Sequence, residues 1–164
     1  MRPQDVAQGP HTVAVTVEAA GRVTPEIVQA LLDIDLQTFS EPTLTAYTAA
    51  VFLDQGRVFL LRVDGAVIGA TVLVRSWATP TEVTLVSMGI RPGWRGQGLG
   101  QRFVQGVAEQ VAAEGATGIT LLVPRDNRRA LKVYEDVGFR RRRELEAEPY
   151  TADRLVVLHR SLEP

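Results

Sequence analysis

The sequence predicts an α/β domain: one mixed sheet of about seven strands with about four helices on its faces. Three observations lead there. Strand-like and helix-like segments alternate in the order β-α-α-β-β-β-α-β-α-β-β, which is a single mixed sheet rather than separate layers. Asp64-Gly65 sits between two apolar runs and is a two-residue hairpin signal. A polar hexamer, Arg95-Gly96-Gln97-Gly98-Leu99-Gly100, joins a strand-like segment to one of helical period.

Each element has a local reason. Residues 1–10 carry two prolines, a glycine and polar side chains, and are expected to be a flexible tail before one domain over 11–164. Thr12 to Val17 alternates valine with threonine and alanine, a first strand stopped by Gly21. Thr24-Pro25-Glu26 starts a helix, with Thr24 as N-cap and Pro25 in the first turn. It should run to about Leu36 with Ile27, Leu31 and Ile34 inward. Thr43 to Leu53 predicts a second helix, ended by Gly56. Arg57 to Val63 and Ala66 to Trp77 form the hairpin, with Trp77 packing at the strand end. A turn at Thr79-Pro80-Thr81 leads into a strand from Glu82 to Ile90. Leu99, Phe103, Val107 and Val111 mark the buried stripe of a helix to Glu114, stopped by Gly115. Thr117 to Val123 is a short apolar run, expected as a buried strand. Asp126 should cap a helix through Tyr134 that stops at Gly138. Phe139 to Leu145 and Arg154 to Leu162 close the sheet, with a Pro149-Tyr150 loop between them.

Composition narrows the function classes. The 164 residues are 45% hydrophobic with a net charge of −1, so no general pull toward nucleic acid or membrane follows. The chain has no cysteine, which excludes disulfides, a cysteine nucleophile and thiolate metal sites. His11 and His159 are the only histidines, so neither a histidine-rich metal site nor a Ser-His-Asp triad is expected. His159, on the last strand, reads as structural. Lys132 is the only lysine, set against a surplus of arginine that codon bias explains. The N-terminus lacks the apolar stretch of a signal peptide, and the most apolar run, Ala66 to Val74, is too short to span a bilayer. The expectation is a soluble, cytoplasmic protein.

The glycine hexamer is the first chemical clue. A strand feeding a glycine loop that opens a helix presents free backbone N–H groups and the positive end of a helix dipole, which suit phosphate. Glycine lets a ligand approach the main chain closely. Three glycines alone are a weak signal, equally compatible with a plain turn. The spacing is not the dinucleotide-binding G-x-G-x-x-G, and no lysine stands where a Walker A loop requires one.

The longer string says more. Ile90-Arg91-Pro92 precedes Trp94-Arg95-Gly96-Gln97-Gly98-Leu99-Gly100; about thirty residues on come Asn127-Arg128-Arg129-Ala130, Tyr134-Glu135 and Val137-Gly138-Phe139. This resembles the GNAT superfamily of acyl-CoA-dependent N-acetyltransferases, whose pattern is a strand ending V-x-P, then R/Q-x-x-G-x-G/A, then N-x-x-A-x-x-x-Y-x-x-x-G-F. The resemblance covers Glu82 to Phe139. It implies a twisted sheet that splays beside the strand from Glu82 to Ile90, and direct acetyl transfer from acetyl-CoA to a primary amine, with no metal. Arg95, Gly96, Gln97, Gly98, Leu99 and Gly100 would cradle the pyrophosphate. The main chain of Met88 and Ile90 would hold the pantetheine arm, and an N–H near Met88 or Gly89 would stabilise the oxyanion. Asn127 would hydrogen-bond CoA. Arg129, with Arg125 and Arg128, suits its 3′-phosphate. Each has a plain structural alternative: Asn127 a cap, Met88 core, the arginines a solvated helix start.

Tyr134 lies two helical turns from Asn127 on the same face, and the family uses a tyrosine there to protonate or bond the leaving sulfur. Its alternative is an amphipathic core tyrosine. The base is less defined. At pH 7 only on the order of one alkyl amine in a thousand is free, a deficit of roughly 4 kcal/mol. Ribosomal-protein N-terminal acetyltransferases place a glutamate five residues before the motif asparagine; Leu122 stands there in this chain. Glu82 is the candidate instead, sharing strand parity with Thr84, Val86 and Met88 unless a bulge intervenes, and needing a bridging water. An exposed strand-end carboxylate is the alternative. Asp33, Asp35 and Glu41 could attract a cationic acceptor or form an exposed helix face. Arg140 to Arg143 would point alternately to both faces of an edge strand.

The expected partner is a small-molecule or peptide amine, framed by the N-terminal helices, the Glu82 strand and the Pro149-Tyr150 loop; a homodimer is left open. Two other functions remain: an acyl-CoA-binding sensor without turnover, and a general nucleotide-binding protein.

Overall fold

The computed structural model describes residues 13–146 and 154–162; the predicted tail and the Pro149-Tyr150 loop lie outside them. Among the described residues seven strands and four α-helices alternate: β1 (Val15–Ala19), α1 (Pro25–Thr38), α2 (Ala46–Gln55), β2 (Arg57–Val63), β3 (Ala66–Arg75), β4 (Glu82–Ile90), a 3-10 turn (Pro92–Trp94), α3 (Leu99–Ala113), β5 (Gly118–Pro124), α4 (Arg128–Asp136), β6 (Arg140–Leu145) and β7 (Leu155–Ser161). They form one sheet in the order β1-β2-β3-β4-β5-β7-β6. β4 and β5 run parallel, with α3 as their crossover, and the other neighbouring pairs of these strands are antiparallel.

Helices cover the sheet unequally. On one face α3 and α4 enclose a core that includes Phe103, Ile119, Leu121, Phe139 and Leu158. The expected stripe Leu99, Phe103, Val107 and Val111 is buried. On the other face α1 and α2 pack on β2, β3 and β4 over a smaller core of Leu31, Ile34, Leu44, Val58, Leu60, Ala70 and Val72. That cover stops at β4, so β5 is not the wholly buried strand expected. Ile119, Leu121 and Val123 are buried, but Leu122 on the opposite face is exposed.

Local signals explain most boundaries. Thr24 caps α1 by accepting from the Ile27 N–H at 3.3 Å. Asp64 and Gly65 both have positive φ, the geometry of a hairpin turn whose twist matches its strands. The first strand is Val15–Ala19 rather than Thr12 to Val17, and three further expectations needed correction. Helix α2 starts at Ala46, not Thr43, because the Thr43 and Leu44 N–H groups donate to the Asp35 carboxylate instead of entering a helix. The cap of α4 is Asn127 rather than Asp126; its Oδ1 accepts from the Ala130 N–H at 3.1 Å. Trp77 does not pack at a strand end, since β3 finishes at Arg75 and the indole is wholly exposed.

Candidate active site

The site begins where two strands part. Glu82↔Gly118 to Leu85↔Leu121 are paired, and there the β4–β5 ladder ends. At the same point β4 carries an extra residue against β3: Val72 pairs with Ser87 and Leu73 with Leu85, leaving Val86 as a bulge. A bulge bends its strand and increases twist, which steers β4 away from β5. A cavity of about 520 Å³ opens between them, lined by Met88, Ile90, Leu121, Val123, Gly98, Asn127 and Tyr134 among others. It is also lined by Thr38, Phe39, Val86 and Leu122, so it reaches both faces of the sheet.

The β4 main chain beyond the bulge can accept an extended partner. The Arg91 N–H donates to the Ile68 carbonyl at 2.8 Å. Alternation along the antiparallel ladder then turns the main-chain groups of Gly89 toward Ala70, and those of Met88 and Ile90 away from β3, into the cleft. Ile90's carbonyl is taken by Arg95 Nε at 2.7 Å. What remains toward the cleft is the Ile90 N–H with both polar groups of Met88. Of the two donors considered for the oxyanion, Met88 faces the cleft and Gly89 does not.

The glycine loop lies at one end of this cavity. Gly96 and Gly98 have φ of 77° and 74°, and a Cβ at either would meet open space, so they are glycines for backbone conformation. Gly98 is the N-cap of α3. Among the described residues, none of the N–H groups from Gly96 to Gln101 donates to a backbone acceptor. Loop and dipole therefore present a cluster of free donors of the kind that binds phosphate oxygens. The Arg95 side chain does not join it: its Nη2 donates to the Gln37 carbonyl at 2.7 Å, tying the loop to α1. Gln97 reaches back to the Gly93 carbonyl at 3.3 Å.

From α4, Asn127, Arg129 and Tyr134 line the cavity. Asn127 uses its oxygen as the cap, which leaves its amide nitrogen for a ligand. Arg129 has no ion-pair partner among the described residues, whereas Arg125 sits 3.7 Å from Glu144. Tyr134 is 6% exposed and its ring meets Phe139 edge-on at 5.5 Å. Its hydroxyl has no hydrogen-bond partner among the described residues, and the residue lines the cavity. Burial pushes its phenol up from the ordinary value, so it stays protonated across the neutral range.

Glu82 is not brought to the cavity with these residues. The bulge at Val86 breaks the expected parity: Val83 and Leu85 share the α3/α4 face with Met88 and Ile90, so Glu82 and Thr84 point to the opposite one. Glu82 lies at the closed end of the cleft, where its Oε1 is 3.0 Å from His159 Nε2. Asp35 does not lure a cation either. It is 4% exposed and accepts from Thr43 N–H at 2.6 Å, Leu44 N–H at 3.0 Å and the Thr43 hydroxyl, which pins the α1–α2 loop. Sequence reasoning missed Thr38, Phe39 and Val86, which form the second mouth. Thr38 and Phe39 are marked in the sequence only by lying near the expected helix end, and nothing in the sequence marks Val86. Among the described residues no group of three His, Asp or Glu side chains could hold a metal ion.

A strand pair that parts around a cavity, a helix-capping loop of free N–H groups and a buried tyrosine beside it suit an extended, phosphate-bearing ligand. The family model of the acetyltransferase (GNAT) family matches residues 24–139, and the chain belongs to that family. No curated protein matches it in sequence. Among solved structures, the ribosomal-protein-S18-alanine N-acetyltransferase of Escherichia coli superposes with a TM-score of 0.77 at 17% identity, over 92% of this chain and 96% of that one. A Bacillus subtilis acetyltransferase in complex with CoA has a TM-score of 0.71 at 17% identity, over 92% and 100%. A spermidine N-acetyltransferase chimera from Vibrio cholerae and hSSAT has 0.75 at 15% identity, over 90% and 95%. At such identities the likeness is one of fold. No described helix is long and apolar enough to cross a membrane.

Proposed function

We propose that this acetyltransferase moves an acetyl group directly from acetyl-CoA to a primary amine of a small molecule or peptide. The observation that carries the reading is the parting of β4 from β5 beyond Leu85 and Leu121. It leaves a cavity that joins the free N–H groups at Gly96 to Gln101 on one side to the mouth at Phe39, Val86 and Leu122 on the other.

The residues fit the donor. Gly96 to Gln101 hold the pyrophosphate, Asn127 and Arg129 lie beside it, and the Met88 and Ile90 main chain extends the sheet by an arm of pantetheine. The acceptor enters by the opposite mouth. Its nitrogen forms the new amide bond as the carbon–sulfur bond breaks, and the Met88 N–H faces the oxygen on which charge develops. Tyr134 then serves the leaving sulfur. A free thiol titrates near 8.5 and a phenol near 10, and burial raises this phenol further. Complete transfer of its proton is uphill, so Tyr134 acts as a hydrogen-bond donor to the sulfur. Glu82 points to the acceptor face but lies outside the cavity lining, so the ammonium proton reaches it through a relay of waters.

Calorimetric titration tests the donor half. CoA should bind with clear preference over ATP; equal binding of the two would replace this reading with a general nucleotide site.

A further inference from the structure

The acceptor face of the sheet carries a chain of three side chains from three strands. Arg142 Nη2 is 3.0 Å from His159 Nδ1, and His159 Nε2 is 3.0 Å from Glu82 Oε1. A guanidinium has only donors. Nδ1 must therefore accept, which places the ring proton on Nε2, where it is donated to Glu82. The bond from one side thus sets the tautomer that serves the other. Arg142 can reach because β6 bulges there: Arg141 pairs with Leu158 and Arg143 with Val157, leaving Arg142 as the extra residue.

The floor beneath this chain is shaped for it. Gly118 on β5 pairs with Glu82 on one side and Ser161 on the other. A Cβ at Gly118 would lie 2.7 Å from His159 Nε2 and 3.0 Å from Glu82 Oε1, too close for both to stay. Its φ is not in the left-handed region, so conformation does not explain this glycine; room for the Glu82–His159 bond does. The pair is partly enclosed, with the His159 side chain 13% and that of Glu82 30% exposed. Other groups face His159 from its neighbours: Arg140 pairs with it on β6 and Thr120 on β5. Glu82 Oε2 has no partner among the described residues.

We propose that Arg142 and His159 are positioning residues for acetyl transfer: Arg142 fixes the imidazole tautomer, and the His159 Nε2–H holds one oxygen of Glu82 so that the other is kept for the proton arriving from the acceptor. This rests on the acetyl-transfer reading and adds two residues to it. Neither touches a reacting atom. The arrangement accounts for a histidine on β7 that the core does not require.

Two readouts test it. Nitrogen-15 NMR of the imidazoles reports the tautomer without any turnover, and with only two histidines in the chain assignment is direct. The wild type should show His159 protonated on Nε2 alone, and Arg142→Ala should show both tautomers in exchange. Gly118→Ala should likewise perturb the Nε2–H signal. In kinetics, His159→Phe should lower kcat about tenfold or more with the KM for acetyl-CoA near wild type, since only orientation is lost. His159→Gln keeps an N–H donor at the place of Nε2 and should recover most of that loss. An Nδ1–H tautomer in the wild type, or unaltered kcat in His159→Phe, would overturn the proposal. A wild-type chain that shows the Nε2–H tautomer yet turns over no amine overturns the acetyl-transfer reading instead, and the positioning role falls with it.

Discussion

Gly89 on β4 lies directly against Thr38 at the end of α1, with no space for a side chain between them. A Cβ there would overlap the Thr38 hydroxyl and approach Ile34 Cγ2 to 2.8 Å. Thr38 and Gly89 both line the cavity, so this contact sets the distance between the α1 wall and the strand that holds the donor. Gly89→Ala should push α1 outward. The expected cost is about 1–3 kcal/mol of stability, as for overpacking in a core. Urea unfolding measures it, and a rise in the acceptor KM should accompany it.

The α1–α2 loop depends on one buried carboxylate. Asp35→Ala strands the Thr43 and Leu44 N–H groups and the Thr43 hydroxyl together. Lost hydrogen bonds to a charged acceptor and unsatisfied donors should cost about 2–4 kcal/mol. Because this loop frames the acceptor mouth, the acceptor KM should rise while CoA binding changes little. Calorimetry with CoA and steady-state kinetics separate the two effects.

Arg129 lines the cavity beside Asn127 without an ion-pair partner among the described residues. If it meets the 3′-phosphate of CoA, Arg129→Ala should weaken CoA binding about tenfold, the scale of a charge-assisted hydrogen bond. Dephospho-CoA, which lacks that group, should bind wild type and variant alike. Equal losses for both ligands would assign Arg129 to the fold rather than to the phosphate.

Tyr134→Phe should reduce kcat by about 10- to 100-fold and leave CoA affinity near wild type, since the ring packing on Phe139 is kept. Burial also links this phenol to stability. Its pKa is raised in the folded chain, so the folded state holds the proton longer than the unfolded one. Stability from this group is therefore full below pH 10 and falls as pH climbs beyond it, by up to about 1.4 kcal/mol per pH unit. Chemical denaturation between pH 9 and 11 should show a steeper loss in wild type than in Tyr134→Phe.

Most of the fold was legible because its signals are local. Asp64-Gly65 dictates a hairpin, Thr24-Pro25 starts a helix, and the four-residue repeat from Leu99 to Val111 marks a buried stripe. The donor half of the site was legible for the same reason: Gly96, Gly98, Asn127 and Tyr134 act where their own segments put them. What escaped depends on partners distant in sequence. The bulge at Val86 arises where β4 must serve two ladders at once, and no glycine or proline announces it. It reverses the face of Glu82 relative to Met88. The bulge at Arg142 is hidden inside four consecutive arginines. Asp35 looks like a surface residue on a helix until Thr43 and Leu44 fold back over it. Leu122 looks buried within its apolar run, but it is exposed because helical cover on that face ends at β4, a fact of tertiary packing alone.

The central claim is transfer, and one assay tests it most directly: release of free thiol from acetyl-CoA in the presence of amino acids, polyamines, aminated antibiotics or short peptides. The chain has no cysteine, so the thiol reagent meets no protein background. The account predicts release that depends on one class of amine and drops with Tyr134→Phe. Tight CoA binding with no amine-dependent release from any class would contradict it, and would leave a chain that binds the acyl carrier without using it.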